Sequence, residues 1–139
     1  MGLVKKSQGR IQSVFRRAVS MKFICLAGGE TAQEALKREY MAAERFGEVR
    51  LGESALFYRY FIRIKYISYR EIVGAYLRQE SGESGEFPLT ENYLMLETLD
   101  GSLHKLRMER ETYVREVLSV FQKKYPFMRV GYNRPSQSK

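Results

Sequence analysis

From Leu56 to Gln79 apolar and basic residues interleave, and turn-forming residues are nearly absent until Gly74. The centre of the run is Tyr58-Arg59-Tyr60-Phe61-Ile62-Arg63-Ile64-Lys65-Tyr66-Ile67-Ser68-Tyr69. Aromatic and β-branched side chains suit a half-buried pleated surface, so the run predicts strands over 55–60, 62–69 and 72–79, with a short one over 49–51. Along 62–69, Ile62, Ile64 and Tyr66 fall on one face and Arg63 and Lys65 on the other. That alternation predicts an apolar core side and a basic solvent side. Further on, Tyr93 to Leu99 and Leu103 to Arg107 flank Asp100-Gly101, a pair that tolerates the positive φ of a tight hairpin turn. Between the two groups, 81–90 carries Gly82, Gly85 and Pro88 with Glu83 and Glu86, and reads as an exposed acidic loop.

Two segments show helical spacing. Leu36, Tyr40, Ala43 and Phe46 form one stripe, with Thr31 and Glu34 spaced as a capping box and Gly47 as its stop. The second helix is expected over 110–124, where Val114, Val117, Leu118, Phe121 and Tyr125 share a face. Glu109 and Glu111 at its start and Lys123 and Lys124 at its end complement the helix dipole, and Pro126 ends it. Ile11, Val14, Phe15 and Ala18 are also helically spaced, inside a block whose first acid is Glu30. The expected organisation is a basic extension over 1–29 ending at Gly28-Gly29, one α+β domain over 30–132, and a disordered tail over 133–139.

Composition narrows the function classes. The 139 residues carry a net charge of +8, with a pI of about 9.7, which favours acidic partners: nucleic acid, an anionic membrane face or an acidic protein. The same charge also serves plain solubility. A single cysteine, Cys25, forms no internal disulfide and fits a reducing, cytoplasmic compartment. One His and one Cys cannot complete a nitrogen/sulfur zinc site within one chain, and no cofactor is expected. The longest early apolar run, Phe23 to Ala27, is too short for a membrane span or a secretory signal.

The order of strands, hairpin and closing amphipathic helix resembles the pleckstrin-homology-like (PH-like) superfold. Ile67-Ser68-Tyr69-Arg70-Glu71-Ile72 is similar to a hydrophobic-small-aromatic-x-acid-Ile step of small bacterial PH-like domains. Tyr93-Leu94-Met95-Leu96 through Asp100-Gly101 is similar to their later hairpin. The resemblance covers about 47–126. It implies an antiparallel curved sheet, or a small sandwich or barrel, of six to seven strands with a C-terminal helix, preceded here by an N-terminal helix. Six strands are legible where the family's pattern has seven.

The resemblance also implies an anion site built from basic residues of the early strands. Arg59, Arg63 and Lys65 hold the comparable places, and they share a parity if the chain runs extended through Phe61. Arg suits phosphate because its planar fork donates two hydrogen bonds together. A solvated strand face guarding a sheet edge has the same composition. The extension offers a second basic element, Lys5, Lys6, Arg10, Arg16, Arg17 and Lys22, suited to an anionic membrane or to nucleic acid. Tyr58, Tyr60, Tyr66 and Tyr69 are candidates for base stacking. Catalysis is not expected. Glu109/Glu111 and Glu83/Glu86 lack the rigid cleft that a carboxylate pair needs. Gly82-Glu83-Ser84-Gly85 is no nucleophile elbow, and His104 reads as a structural strand residue. The expectation is a non-enzymatic binding or scaffold module for an anionic ligand, membrane surface or protein, with a nucleic-acid-binding protein using the basic arm as the alternative.

Overall fold

The computed structural model describes residues 22–29, 31–84 and 87–132. Within them lie nine strands in two sheets and two α-helices. In chain order they are β1 (Phe23–Cys25), α1 (Gln33–Ala42), β2 (Glu44–Phe46), β3 (Val49–Leu51), β4 (Ala55–Tyr60), β5 (Arg63–Ser68), β6 (Ile72–Ser84), β7 (Phe87–Thr98), β8 (Leu103–Met108), α2 (Glu111–Lys124) and β9 (Arg129–Tyr132). The first sheet is ordered β1-β5-β4-β3-β2 and the second β8-β7-β6-β9. The α+β expectation therefore holds. An all-antiparallel sheet does not: β1 runs parallel to β5, and β9 parallel to β6. Both added strands are only three or four residues long, too short to give a strand pattern in sequence.

Strand alternation gives each face of β4 and β5 its own core. Leu56, Tyr58 and Ile67 face the second sheet and join Leu77, Leu94, Leu96 and Leu106 in the main core. Val114, Val117, Leu118 and Phe121 of α2 are fully buried there. Phe57, Ile64 and Tyr66 face the other way, under Phe23, Leu36 and Tyr40. There Phe23, Tyr40 and Phe57 meet edge to face at 5.4–5.7 Å, the arrangement aromatic quadrupoles favour.

Several expectations are corrected. Thr31 makes no capping box. Its N–H donates to the Tyr66 hydroxyl, 3.0 Å away, and Ala32 is the N-cap with no side-chain bond. The helix stops at Ala42 because Ala43 turns extended (ψ 152°), and Glu44–Phe46 then pairs with β3. Phe46 thus reaches the core from a strand, and Gly47 is a hairpin residue rather than a helix stop. The helix follows a strand, since Phe23–Cys25, read as part of the basic extension, pairs with β5. The Gln33 side chain accepts from the Phe23 N–H at 3.0 Å and donates to the Phe23 carbonyl at 3.2 Å, finishing that strand edge.

Residues 81–84 and 87–90 are strand rather than the expected loop. β6 and β7 pair in register from Gly74↔Glu97 to Ser84↔Phe87. Pro88 is tolerated because β7 there runs past its last pair with β8, Asn92↔Met108, leaving one side unpaired. The Asp100-Gly101 turn forms as expected. Gly101 takes φ +86°, and Asp100 Oδ1 accepts from the Ser102 N–H and the Thr98 hydroxyl. Those bonds hold the Asp100 carboxyl below the usual carboxylate range. The helical spacing at Ile11–Ala18 and the tail 133–139 lie outside the described residues.

Candidate anion-binding groove

The chain reverses at Phe61-Ile62, so Arg59, Arg63 and Lys65 do not share a face. Direct cross-strand partners are Tyr58↔Lys65, Arg59↔Ile64 and Tyr60↔Arg63. Partners of an antiparallel pair point to the same side. Arg63 and Lys65 therefore stand with Tyr58 and Tyr60 on the side that carries Leu56 and Ile67 further down, towards the second sheet. Arg59 lies on the opposite side, its Nε–H donating to the Phe61 carbonyl at 3.1 Å. The expected basic solvent side of β5 is in fact the side turned towards the second sheet. Ile62, expected in the core, is 88% exposed in the turn.

What closes the trio's place is β8. Leu106 and Met108 point into the core, so Lys105 and Arg107 point out along the free edge of the second sheet. A groove of about 340 Å³ lies between this edge and β4–β5, lined by Tyr58, Tyr60, Arg63, Lys65, Lys105 and Arg107. Tyr58 forms its floor and ties the sheets together, its hydroxyl donating to the Arg107 carbonyl at 2.7 Å. Burial, then the Glu48 carboxylate, pushes that phenol up to about 12. The Tyr60 ring lies parallel to that of Tyr58, with centroids 6.4 Å apart and 4° between planes, and is 43% exposed.

The four cations divide by partner. Lys105 Nζ is 2.7 Å from Glu80 Oε2 and 4.3 Å from the centre of the Tyr93 ring, and its hydrogen bond holds Glu80 below the usual carboxylate range. Arg107 Nη2 is 3.4 Å from Glu91 Oε2. Among the described residues Arg63 and Lys65 make no ion pair, leaving their donors for a ligand. Every lining group with hydrogen-bonding capacity is a cation or a phenol, and no carboxylate lines the groove. Such a cavity attracts and orients an anion.

Sequence reasoning missed Lys105 and Arg107. Their shared parity is visible in Leu103-His104-Lys105-Leu106-Arg107, yet no local signal says that the β8 edge faces β5. Of the basic arm only Lys22 is described; it is exposed just before β1. Lys5, Lys6, Arg10, Arg16 and Arg17 lie outside the described residues. Tyr66 and Tyr69, two of the stacking candidates, are buried, the first beneath α1 and the second against Phe121.

Of the carboxylates paired in sequence, the side chains of Glu83 and Glu86 lie outside those described. Glu111 is held by Gln79 and Arg115 at 3.0 and 2.6 Å, while Glu109 stands exposed at the end of β8. His104 leaves Nε2 buried with no partner among the described residues. Among the described residues no group of three His, Cys, Asp or Glu side chains is placed to hold a metal, and no helix is long and apolar enough to cross a membrane. Comparison with curated proteins and with solved structures finds no match. A family model does match, over residues 19–138, and so the chain belongs to the family described as Domain of unknown function (DUF6709).

Proposed function

We propose that the protein is a non-enzymatic PH-like binding module that takes a phosphate-bearing ligand in the groove between β5 and β8. The observation that carries this reading is the convergence of Arg63, Lys65, Lys105 and Arg107, from two sheets, on one cavity without a carboxylate in its lining. Guanidinium and ammonium groups at a partly enclosed site favour phosphate over smaller or uncharged ligands. The PH-like resemblance gains support from β2 to β8. These are seven consecutive strands, four in one sheet and three in the other, with α2 directly after them. The parallel strands β1 and β9 are additions to that pattern. A cytoplasmic setting agrees with the lone Cys25.

Pyrophosphate tests the reading. Amide chemical shifts of β5 and β8 should move on titration, and Arg63→Ala or Lys65→Ala should weaken binding about tenfold. Both substitutions should leave stability within ~0.5 kcal/mol, as for other solvent-facing sites. Pyrophosphate shifts scattered over the whole surface, or unaffected by these variants, would remove the groove. Nucleic acid, the alternative ligand, is separated by salt. Its affinity should fall with a logarithmic slope of about −0.7 to −0.9 per phosphate contacted.

A further inference from the structure

The two residues that turn β4 into β5 are both large and apolar, and both stand in solvent. Phe61 is 78% exposed and Ile62 88%. They are the most exposed large hydrophobic residues among the described ones. Phe61 also adopts φ +58° and is the only non-glycine residue described with positive φ. A two-residue hairpin with positive φ at its first position ordinarily places glycine there. An aromatic residue is thus held in a strained conformation that presents its ring to solvent, an outlier of the kind found at functional sites.

Cations flank this tip on both faces of the hairpin. On one side lies the groove with Arg63 and Lys65. On the other, Arg59 and Phe61 line a cavity of about 460 Å³ together with Arg45 and Arg50. Arg45 and Arg50 are direct cross-strand partners, an unfavourable like-charge pairing. Each of these three arginines spends one donor on a backbone carbonyl: Arg45 on Gly47, Arg50 on Tyr40 and Arg59 on Phe61. None makes an ion pair among the described residues, although Glu48 and Glu109 line the same cavity.

We propose that the β4–β5 tip docks on an anionic lipid bilayer, Phe61 and Ile62 entering the boundary between headgroups and acyl chains while the cations on both faces meet lipid phosphates. The proposal rests on the anion-binding reading of the groove and names the source of its phosphate. A compact soluble ligand in the groove reaches one face of the hairpin only. A membrane plane reaches both faces together and also covers the apolar tip.

The full chain contains no Trp, so Phe61→Trp supplies a single reporter. With vesicles of phosphatidylcholine and phosphatidylserine its emission should shift to the blue and be quenched by brominated acyl chains. With phosphatidylcholine alone it should not. The double variant Phe61→Asn/Ile62→Ser keeps a first turn residue that tolerates positive φ. It should lose vesicle binding by about tenfold or more while still binding pyrophosphate, which also reports an intact fold. Ile62→Ser alone should give a smaller loss of the same kind. Undiminished vesicle binding by the double variant, or unshifted emission from Phe61→Trp, overturns the proposal. So does sedimentation of the wild type as a dimer that the double variant dissolves into monomers, because the tip would then cover a second copy. Loss of pyrophosphate binding in Arg63→Ala with vesicle binding unchanged would separate the two sites and overturn their union at one membrane surface. A wild type that ignores pyrophosphate, alongside a Phe61→Trp variant whose indole is buried by anionic vesicles, would fail the groove and leave the tip standing.

Discussion

The first sheet contains two hairpins closed by only two residues, and they solve the same geometric problem with opposite chemistry. Between β2 and β3 the turn is Gly47-Glu48; between β4 and β5 it is Phe61-Ile62. In both, the first residue has positive φ, +64° at Gly47 and +58° at Phe61. Gly47 sits under the ring of Tyr113, where a Cβ would clash with Cδ2. There the backbone and the packing both demand glycine. At Phe61 the backbone makes the same demand, but among the described residues the side chain is left 78% exposed, and the chain carries a phenylalanine instead. Folding accounts for the first choice. The second runs against local backbone preference, and the proposed docking of an exposed aromatic beside basic cavities would account for it. Anchorage is shared: Glu48 Oε2 accepts from the Glu109 N–H at 3.0 Å, and Tyr58 donates to the Arg107 carbonyl, so both hairpins are tied to the end of β8.

Substitution can break the comparison, and the largest effect belongs to the covered turn. Gly47→Ala adds left-handed strain and a clash with Tyr113, and should lower stability by ~2–4 kcal/mol. Chemical denaturation checks it; a loss under ~1 kcal/mol would mean that Tyr113 swings away freely and that packing does not dictate this glycine. Gly101→Ala isolates the conformational part. Gly101 has φ +86°, and beyond its chain neighbours no described atom lies within 4 Å of its Cβ position. The expected loss is ~1–2 kcal/mol. Equal losses at the two glycines would remove the role given to Tyr113.

The anchor behind the exposed turn comes next. Tyr58→Phe removes the hydrogen bond to Arg107 and should lower stability by ~1 kcal/mol. It also predicts a pH effect with a definite sign. The folded protein holds the Tyr58 phenol up to about 12, against 10.0 for an ordinary tyrosine. Between those values the folded chain keeps a proton that the unfolded chain has lost. Its contribution is therefore complete below pH 10 and fades as pH rises through about 12. The wild type should lose stability over that range more steeply than Tyr58→Phe, with Tyr69 and Tyr125, also raised by burial, acting in both proteins. Parallel curves would show that Tyr58 ionises freely in the folded state.

The sequence made the long amphipathic elements readable and left the joins between them obscure. The stripe Val114, Leu118 and Phe121 located α2, and Asp100-Gly101 located its hairpin, because periodicity and turn chemistry are local. β1 and β9 escaped because three or four residues carry no period, and their parallel partners are far along the chain. Gly82 and Pro88 read as loop punctuation, yet the long register of β6 with β7 overrides both. For the site, Arg63 and Lys65 were legible as a basic pair of one parity. The separation of Arg59 depended on a turn that no glycine, proline or asparagine announces. Lys105 and Arg107 required knowing which edge of one sheet faces the other, a relation set by long-range packing.

The smallest effect on stability is expected at Phe61 itself, and its direction is the opposite of the glycine variants. Phe61→Gly relieves a left-handed conformation that is unfavourable by ~1–2 kcal/mol for a residue with a Cβ. Part of the gain is offset by the greater freedom of glycine in the unfolded chain, ~0.5–1 kcal/mol. The net is a protein more stable by ~0.5–1 kcal/mol. Little packing among the described residues is lost, since the ring is 78% exposed and its aromatic neighbour is Tyr60, at 4.5 Å between centroids. The same variant should bind anionic vesicles more weakly, because the apolar tip is shortened to Ile62. A rise in stability accompanied by a loss of binding is the pattern left by strain maintained for function. Thermal unfolding and vesicle flotation on one preparation of Phe61→Gly measure both. A destabilised variant would show that the phenylalanine serves the fold after all, and the contrast with Gly47 would then be one of packing alone.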